Sequence, residues 1–372
     1  MARDPLLLLP ALVMLEIARI LLSTMLSTLG YASASSWPCW LAAAAVLLDA
    51  LRRLKSGDCD LRMQRHAHLP DNAFAGKVIW CTGASSGIGE AAALQFAARG
   101  ARLVLSARRV ERLRELEPRC RAAGAADVLV LPLDALALKS HAAKAQEIVE
   151  RFGRIDVLLA NAGRSQRSLI EQTAVDVDRA VMELNYLGTL SVTKAVLPHM
   201  CKQQRGWLLV TGSVAGKTGS PISASYAASK MAVESYFNTL RMELYDRNIG
   251  VTLVLPGPVL TEGQSSAFTS KMGETFGKAP SAEEAKQRLT AERCGFLMAA
   301  ALYHQLDEVW LSCSPILWYV YGAQYLPTLY SAMAKKTGVK RAQAFRRGGD
   351  AGYTALSGGI FSSLFGGKKK AS

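Results

Sequence analysis

The chain has 372 residues, half of them hydrophobic and 20% charged, which is enough apolar material for one large core or two modest ones. That composition excludes disorder along the whole length and a collagen-like fibre. Lys and Arg total 44 against 30 Asp and Glu, a net charge of +14 that favours anionic partners: nucleic acid, a phosphorylated cofactor or a membrane surface.

Residues 6–26, LLLLPALVMLEIARILLSTML, are long enough to cross about 30 Å of hydrocarbon. Glu16 and Arg19 interrupt the run, three apart on one helical face where they can pair. A membrane anchor is the leading reading. A signal peptide cleaved after Ala32-Ser33-Ala34 and a buried or surface-lying amphipathic helix compete with it. Residues 37–51 are too short to span unaided and contain Asp49, so they read as interfacial. Arg52, Arg53, Lys55, Arg62 and Arg65 follow, and by the positive-inside tendency they put the downstream domain in the cytosol. Residues 1–55 thus form an anchor and flank, and 56–76 a linker. Seven cysteines without a C-x-x-C pair or a Cys/His ligand spacing indicate neither a disulfide framework nor a metal site. The absence of an Asn-x-Ser/Thr sequon fits a cytosolic domain.

From Lys77 buried strands alternate with helices. Strands are expected over 77–82, 102–106, 127–133, 157–160, 207–211 and 251–255, with helices over 89–99, 110–122 and 139–152. Such alternation predicts βαβ units, hence a Rossmann-type doubly wound parallel sheet with helices on both faces, over residues 77–334. Residues 335–372, rich in Lys, Arg, Gly and Ser, read as a loose basic tail.

Thr82-Gly83-Ala84-Ser85-Ser86-Gly87-Ile88-Gly89 lies between the first strand and the first helix. Gly83 permits a tight turn, Gly87 lets the backbone approach a pyrophosphate, and Gly89 lets helix pack closely on strand. The helix N-terminus adds free N–H donors and positive dipole. At the end of the second strand, where an acid would hold a ribose 2′-hydroxyl, stand Arg108 and Arg109. A guanidinium there grips a 2′-phosphate and selects NADP over NAD.

Tyr226 and Lys230 share one helical face at i and i+4, with Ser213 thirteen residues earlier. A cation beside the phenol lowers its pKa from about 10 and makes Tyr226 a proton donor or acceptor at a carbonyl–carbinol centre. Ser213 can bond the same oxygen.

These motifs, with Asn161-Ala162-Gly163 and Pro256-Gly257-Pro258-Val259 followed by Thr261, resemble the classical short-chain dehydrogenases/reductases over residues 77–273. Within that family, residues 103–109, 165–169, 183–189 and 308–312 resemble the membrane-associated dehydrogenase/reductase member 7 group. The resemblance implies that Asn185 holds a water in a proton relay through Lys230, which also contacts the nicotinamide ribose. It implies further that Asp134 contacts adenine, that Asn161 lies near the cofactor, and that Pro256 to Thr261, Gly257 among them, flank the nicotinamide amide. Ala160 departs from the family, which often has a second Asn there.

Phe268, Met272 and Phe276 suggest an apolar lid, with simple packing as the alternative, and the aromatic residues 315–330 read equally as core, a membrane-touching element or an oligomer surface that leaves a homodimer open. The late basic charges suit anionic lipid better than nucleic acid, since no recognition module accompanies them. The expected function is an NADP(H)-dependent oxidoreductase acting on a lipophilic carbonyl or alcohol, such as a steroid, retinoid or other aldehyde or ketone. A membrane-tethered NADP-binding scaffold and a nucleotide-sugar epimerase or dehydratase are the rivals. Lys369 and Lys370, third and fourth from the end, resemble a dilysine retrieval signal and imply the endoplasmic-reticulum membrane.

Overall fold

A computed structural model describes residues 37–348. The expected span at 6–26, the candidate cleavage site and the terminal lysines lie outside them. Helix α1 (Trp37–Ser56) contains the segment read as interfacial, and Val46 and Leu48 on it are exposed. Among the described residues no helix is long and apolar enough to cross a membrane.

A compact unit begins at Leu54. The expected linker is in fact part of its core, because a few anchoring contacts outweigh a polar composition. Asp60 caps α2 (Leu61–Arg65), accepting from Met63 N–H, and its other carboxylate oxygen accepts from Trp310 N–H. Met63 and Phe74 are buried, the latter edge-on to Phe96 at 5.0 Å.

The unit then follows the expected alternation: β1 (Val78–Thr82), α3 (Gly87–Ala97), β2 (Arg102–Ser106), α4 (Val110–Ala123), β3 (Asp127–Val130), α5 (His141–Phe152) and β4 (Val157–Ala160). α6 (Val175–Met182) runs through a π-turn (Glu183–Gly188) into α7 (Thr189–Gln203), and β5 (Gly206–Thr211), α8 (Val214–Thr218), α9 (Ala224–Glu243) and β6 (Ile249–Pro256) follow. After the short β7 (Val259–Leu260), α10 (Ala282–Lys286) and β8 (Leu289–Thr290) come α11 (Ala291–Tyr303), β9 (Glu308–Leu311), α12 (Ile316–Tyr325) and α13 (Pro327–Arg346). Seven strands form one parallel sheet in the order β3-β2-β1-β4-β5-β6-β9. The expected third strand is shorter, ending at Val130, and β9 is an addition to the six expected strands.

The sheet is buried on both faces, as continuous apolar strands require. On β1, Ile79 and Cys81 join the core under α3, α4 and α11, while Val78 and Trp80 join the one under α5, α7 and α9. The Trp80 indole donates to Ser106 Oγ, which donates to Leu131 O, so the buried polar atoms are satisfied. At Gly295 the α11 backbone comes so close to α3 that a Cβ would sit 2.7 Å from the Ala91 carbonyl carbon.

The aromatic stretch 315–330 packs inward in part: Ile316, Leu317, Tyr319 and Val320 are buried. The basic stretch from Lys335 is not loose at its start, since α13 continues to Arg346 with Thr337 and Arg341 buried. Its side chains reach the loop that leads into α9: Tyr330 Oη donates to Thr218 O, and Arg341 donates to Ser220 Oγ. Ala342 and Phe345 pack on Leu169 and Ile222.

Ending the chain at Ala334 is therefore expected to destabilise the unit by about 2 kcal/mol or more, roughly 4–8 °C in Tm. An unchanged melting temperature in thermal unfolding would restore the loose tail.

Candidate active site

Strand order reverses between β1 and β4, and there the loops at the carboxyl ends of the strands open into a cleft of about 710 Å³. Its glycine-rich wall comes from the turn between β1 and α3. Gly83 and Gly87 have φ of 65° and 60°, the left-handed region that glycine adopts without strain. A Cβ on Gly89 would stand 2.2 Å from Gly83 O and 2.6 Å from Asn161 Nδ2, so no side chain fits there. Asn161 is a tie between strands: its backbone N–H donates to Thr82 Oγ1, and its Oδ1 accepts from Thr211 Oγ1 at 3.0 Å.

Helix α3 starts at Gly87, two residues before the expected Gly89. Its N-cap, Ser86, makes no side-chain capping bond, so the first-turn N–H groups keep their donors for an anion. Instead Arg109 reaches across from the end of β2 and donates to Ser86 Oγ at 2.7 Å and Ser85 Oγ at 3.2 Å. Arg108 is exposed on the cleft wall. Ile88, Asp134, Ala162, Gly163, Pro256, Gly257 and Thr261 line the same cleft. Thr261 Cγ2 lies 3.0 Å from where a Gly87 Cβ would stand, which shows how tightly the two loops face each other.

The chemistry-bearing side chains sit on α8 and α9 at the end of β5. Ser213 ends the β5 loop as the N-cap of α8; its Oγ accepts from Ala215 N–H at 3.2 Å and donates to Pro256 O at 3.3 Å. Tyr226 and Lys230 lie on one face of α9, with Lys230 Nζ 5.9 Å from the Tyr226 ring centroid. Lys230 is buried, and Nζ donates to Thr211 O at 2.7 Å. Burial pushes its pKa down to about 8. Two neighbours fix its surroundings. Asn185, buried in the π-turn, accepts from Arg164 N–H and donates to Arg164 O and Ser229 Oγ. This clamps Gly163, where a Cβ would be 3.6 Å from Nζ. The extra residue of a π-turn re-aims a side chain that a regular helix would point elsewhere. Lys217 pairs with Glu234 and, at 3.0 Å, with Glu308, tying α8 to α9 and β9.

The cleft thus gathers Ser213, Tyr226 and Lys230 with every cofactor residue expected from the sequence except Gly89, which packs behind its wall; Asn185, expected in a proton relay, lies behind the lining and bonds the Arg164 backbone. Of the two readings of the segment after Thr261, packing holds for Phe268, and none of Phe268, Met272 and Phe276 lines the cleft. Phe268 packs on Val177 and Val181 because bridges to Gln166 and Thr275 turn the segment inward, and the cleft is bordered by Glu262 to Ser266 instead. Sequence reading missed Arg164 and Arg167, which also line the cleft; their position just after Asn161-Ala162-Gly163 was the available signal.

A family model described as short chain dehydrogenase matches residues 77–271. Human dehydrogenase/reductase SDR family member 7 is 40% identical over 322 residues, 85% of this chain and 94% of that protein. The mouse protein of the same description is 38% identical over 318 residues, 82% and 93%. Among solved structures, an alcohol dehydrogenase from the archaeon Thermococcus sibiricus, complexed with 5-hydroxy-NADP, aligns with a TM-score of 0.56 at 28% identity, over 64% of this chain and 97% of that one.

The lowered pKa of Lys230 predicts a pH-dependent stability difference. Between about pH 8 and the ordinary lysine value of 10.5, the unfolded chain holds a proton that the folded site has released, so the parent protein gains stability as pH rises through that window. Lys230→Met lacks this term. Its Tm relative to the parent is expected to be most favourable below pH 8 and to lose ground towards pH 10; a pH-independent difference would contradict the buried ammonium.

Proposed function

The chain belongs to the short-chain dehydrogenase family, and from that premise we propose that it is an NADP(H)-dependent oxidoreductase that interconverts a lipophilic carbonyl compound, such as a steroid, retinoid or other aldehyde or ketone, with its alcohol. The observation that carries this reading is Tyr226 and Lys230 on one face of α9, beside Ser213, at the edge of a glycine-cradled cleft.

The residues fit the dinucleotide. The closed space at Gly83, Gly87 and Gly89 admits backbone but no side chain, the uncapped start of α3 suits a pyrophosphate, and Arg108 suits a 2′-phosphate. The NADP analogue in the archaeal relative supports the same choice. When bound, NADP(H) supplies or accepts the hydride at its nicotinamide ring. The protein's part is proton handling and orientation. Ser213 Oγ bonds the substrate oxygen and holds it towards the phenol. Tyr226 gives its proton to that oxygen in reduction, or takes it in oxidation. The Lys230 ammonium, fixed by Thr211 O, stabilises the resulting phenolate. Leu184, Val214, Pro258 and Val259 supply apolar wall for a lipophilic body.

Tyr226→Phe is expected to lower turnover at least about 100-fold, the low end of general acid–base contributions, while NADPH binding stays within about twofold. Near-parental turnover would remove Tyr226 from the mechanism. Arg108→Asp is expected to weaken NADPH by at least about 1.5 kcal/mol, the worth of one charge-assisted hydrogen bond, and NADH far less. Equal losses in fluorescence titrations of the two cofactors would mean that Arg108 does not read the 2′-phosphate.

A further inference from the structure

The cleft is lined by charge of one dominant sign. Arg108, Arg109, Arg164, Arg167 and Arg288 face it against two carboxylates, Asp134 and Glu262. Arg109 lies 3.9 Å from Glu262, and Arg288 lies 3.6 Å from Glu284. Among the described residues Arg108, Arg164 and Arg167 pair with no carboxylate. On the reading above Arg108 serves the cofactor, which leaves two arginines without an assigned ligand.

Arg167 reaches the segment that leads to Tyr226, and Arg164 lies near enough to Arg108 to feel its charge. Arg164 follows Gly163, its backbone is held by Asn185, and its guanidinium lies 3.9 Å over the Phe268 ring while Nε donates to Ser266 O. Arg167 is half-buried; Nη1 donates to Ser165 Oγ, Gln166 O and Ser223 Oγ, the last three residues ahead of Tyr226. Its Nε and Nη2 make no hydrogen bond to the described residues. The loop carrying it is pinned beside the start of α9 by Ser168 N–H donating to Ile222 O. A partly desolvated guanidinium with unused donors and no counter-charge is poised for an oxyanion. Ser165, Ser220 and Ser266 add hydroxyls to the same wall.

We propose, resting on the redox reading above, that the substrate is an amphiphile: a lipophilic carbonyl compound bearing an oxyanion, carboxylate or phosphate, that Arg167 binds together with Arg164. A lipophilic carbonyl compound without an anionic group would meet the apolar wall but leave this cationic end unused.

The test measures binding, so that it does not depend on turnover. The full chain, saturated with NADP⁺ to occupy the cofactor's phosphate sites, is titrated calorimetrically with 12-oxododecanoate, its methyl ester and dodecyl phosphate. At least one of the two anions is expected to bind 10-fold or more tighter than the ester. Arg167→Gln is expected to remove most of that preference while NADP⁺ affinity is retained, and Arg164→Gln to reduce it. Preference for the carboxylate or for the phosphate tells which oxyanion the site takes. Equal binding of ester and anions, or an anion preference that survives in both variants, would overturn the proposal. Failure of 12-oxododecanoate and its ester to consume NADPH would count against the redox reading and leave the anion comparison intact.

Discussion

A lysine ammonium buried without a carboxylate partner among the described residues is the constraint around which the catalytic half of the molecule is arranged. Moving a charge out of water costs several kcal/mol even after relaxation. Here it is offset in part by one short hydrogen bond, Lys230 Nζ to Thr211 O, at the end of β5. The bond needs a strand end that does not move, and the sheet supplies one: β5 lies between β4 and β6, paired with both. It also needs α9 fixed against that strand, which the Lys217–Glu234–Glu308 cluster and the packing of Phe237 and Leu240 provide. Stability is given up at Lys230 to keep a positive charge beside a phenol.

The same logic runs outward from the site. Asn185 occupies a π-turn and spends its amide on holding the Gly163–Arg164 backbone against Lys230. Helix α13 holds the loop from Thr218 to Ile222 from outside, through Tyr330, Arg341 and Phe345, and so steadies the approach to Tyr226. The last described helix therefore supports the cleft beside Tyr226, although it lies more than one hundred residues from Tyr226 in the chain.

Much of the core was legible because its signals are local. Strands such as Val78–Thr82 and Val157–Ala160 are short runs of apolar residues between turn signals, and the glycines of residues 83–89 declare a turn whatever surrounds it. Tyr226 and Lys230 announce themselves by helical spacing. What escaped was held by long-range polar contacts. Asp60 finds Trp310 across 250 residues, which turns an apparent linker into core. In α13 the buried residues include Thr337 and Arg341, types that hydrophobic periodicity counts as surface, so an ordered helix read as a loose tail. Phe268 looked like a lid because composition says nothing of direction; its bridge to Gln166 decides that it faces Val177 and Val181.

The central claim is that Lys230 favours the ionised phenol of Tyr226, and the ionisation of that phenol tests it most directly. In protein labelled with ¹³Cζ-tyrosine, the resonance lost in Tyr226→Phe identifies the group among the 11 tyrosines of the chain, and its chemical shift is followed with pH. The account predicts ionisation below the ordinary tyrosine value of about 10 and a return towards it in Lys230→Met. A Tyr226 that titrates at or above about 10, unmoved by Lys230→Met, would contradict it.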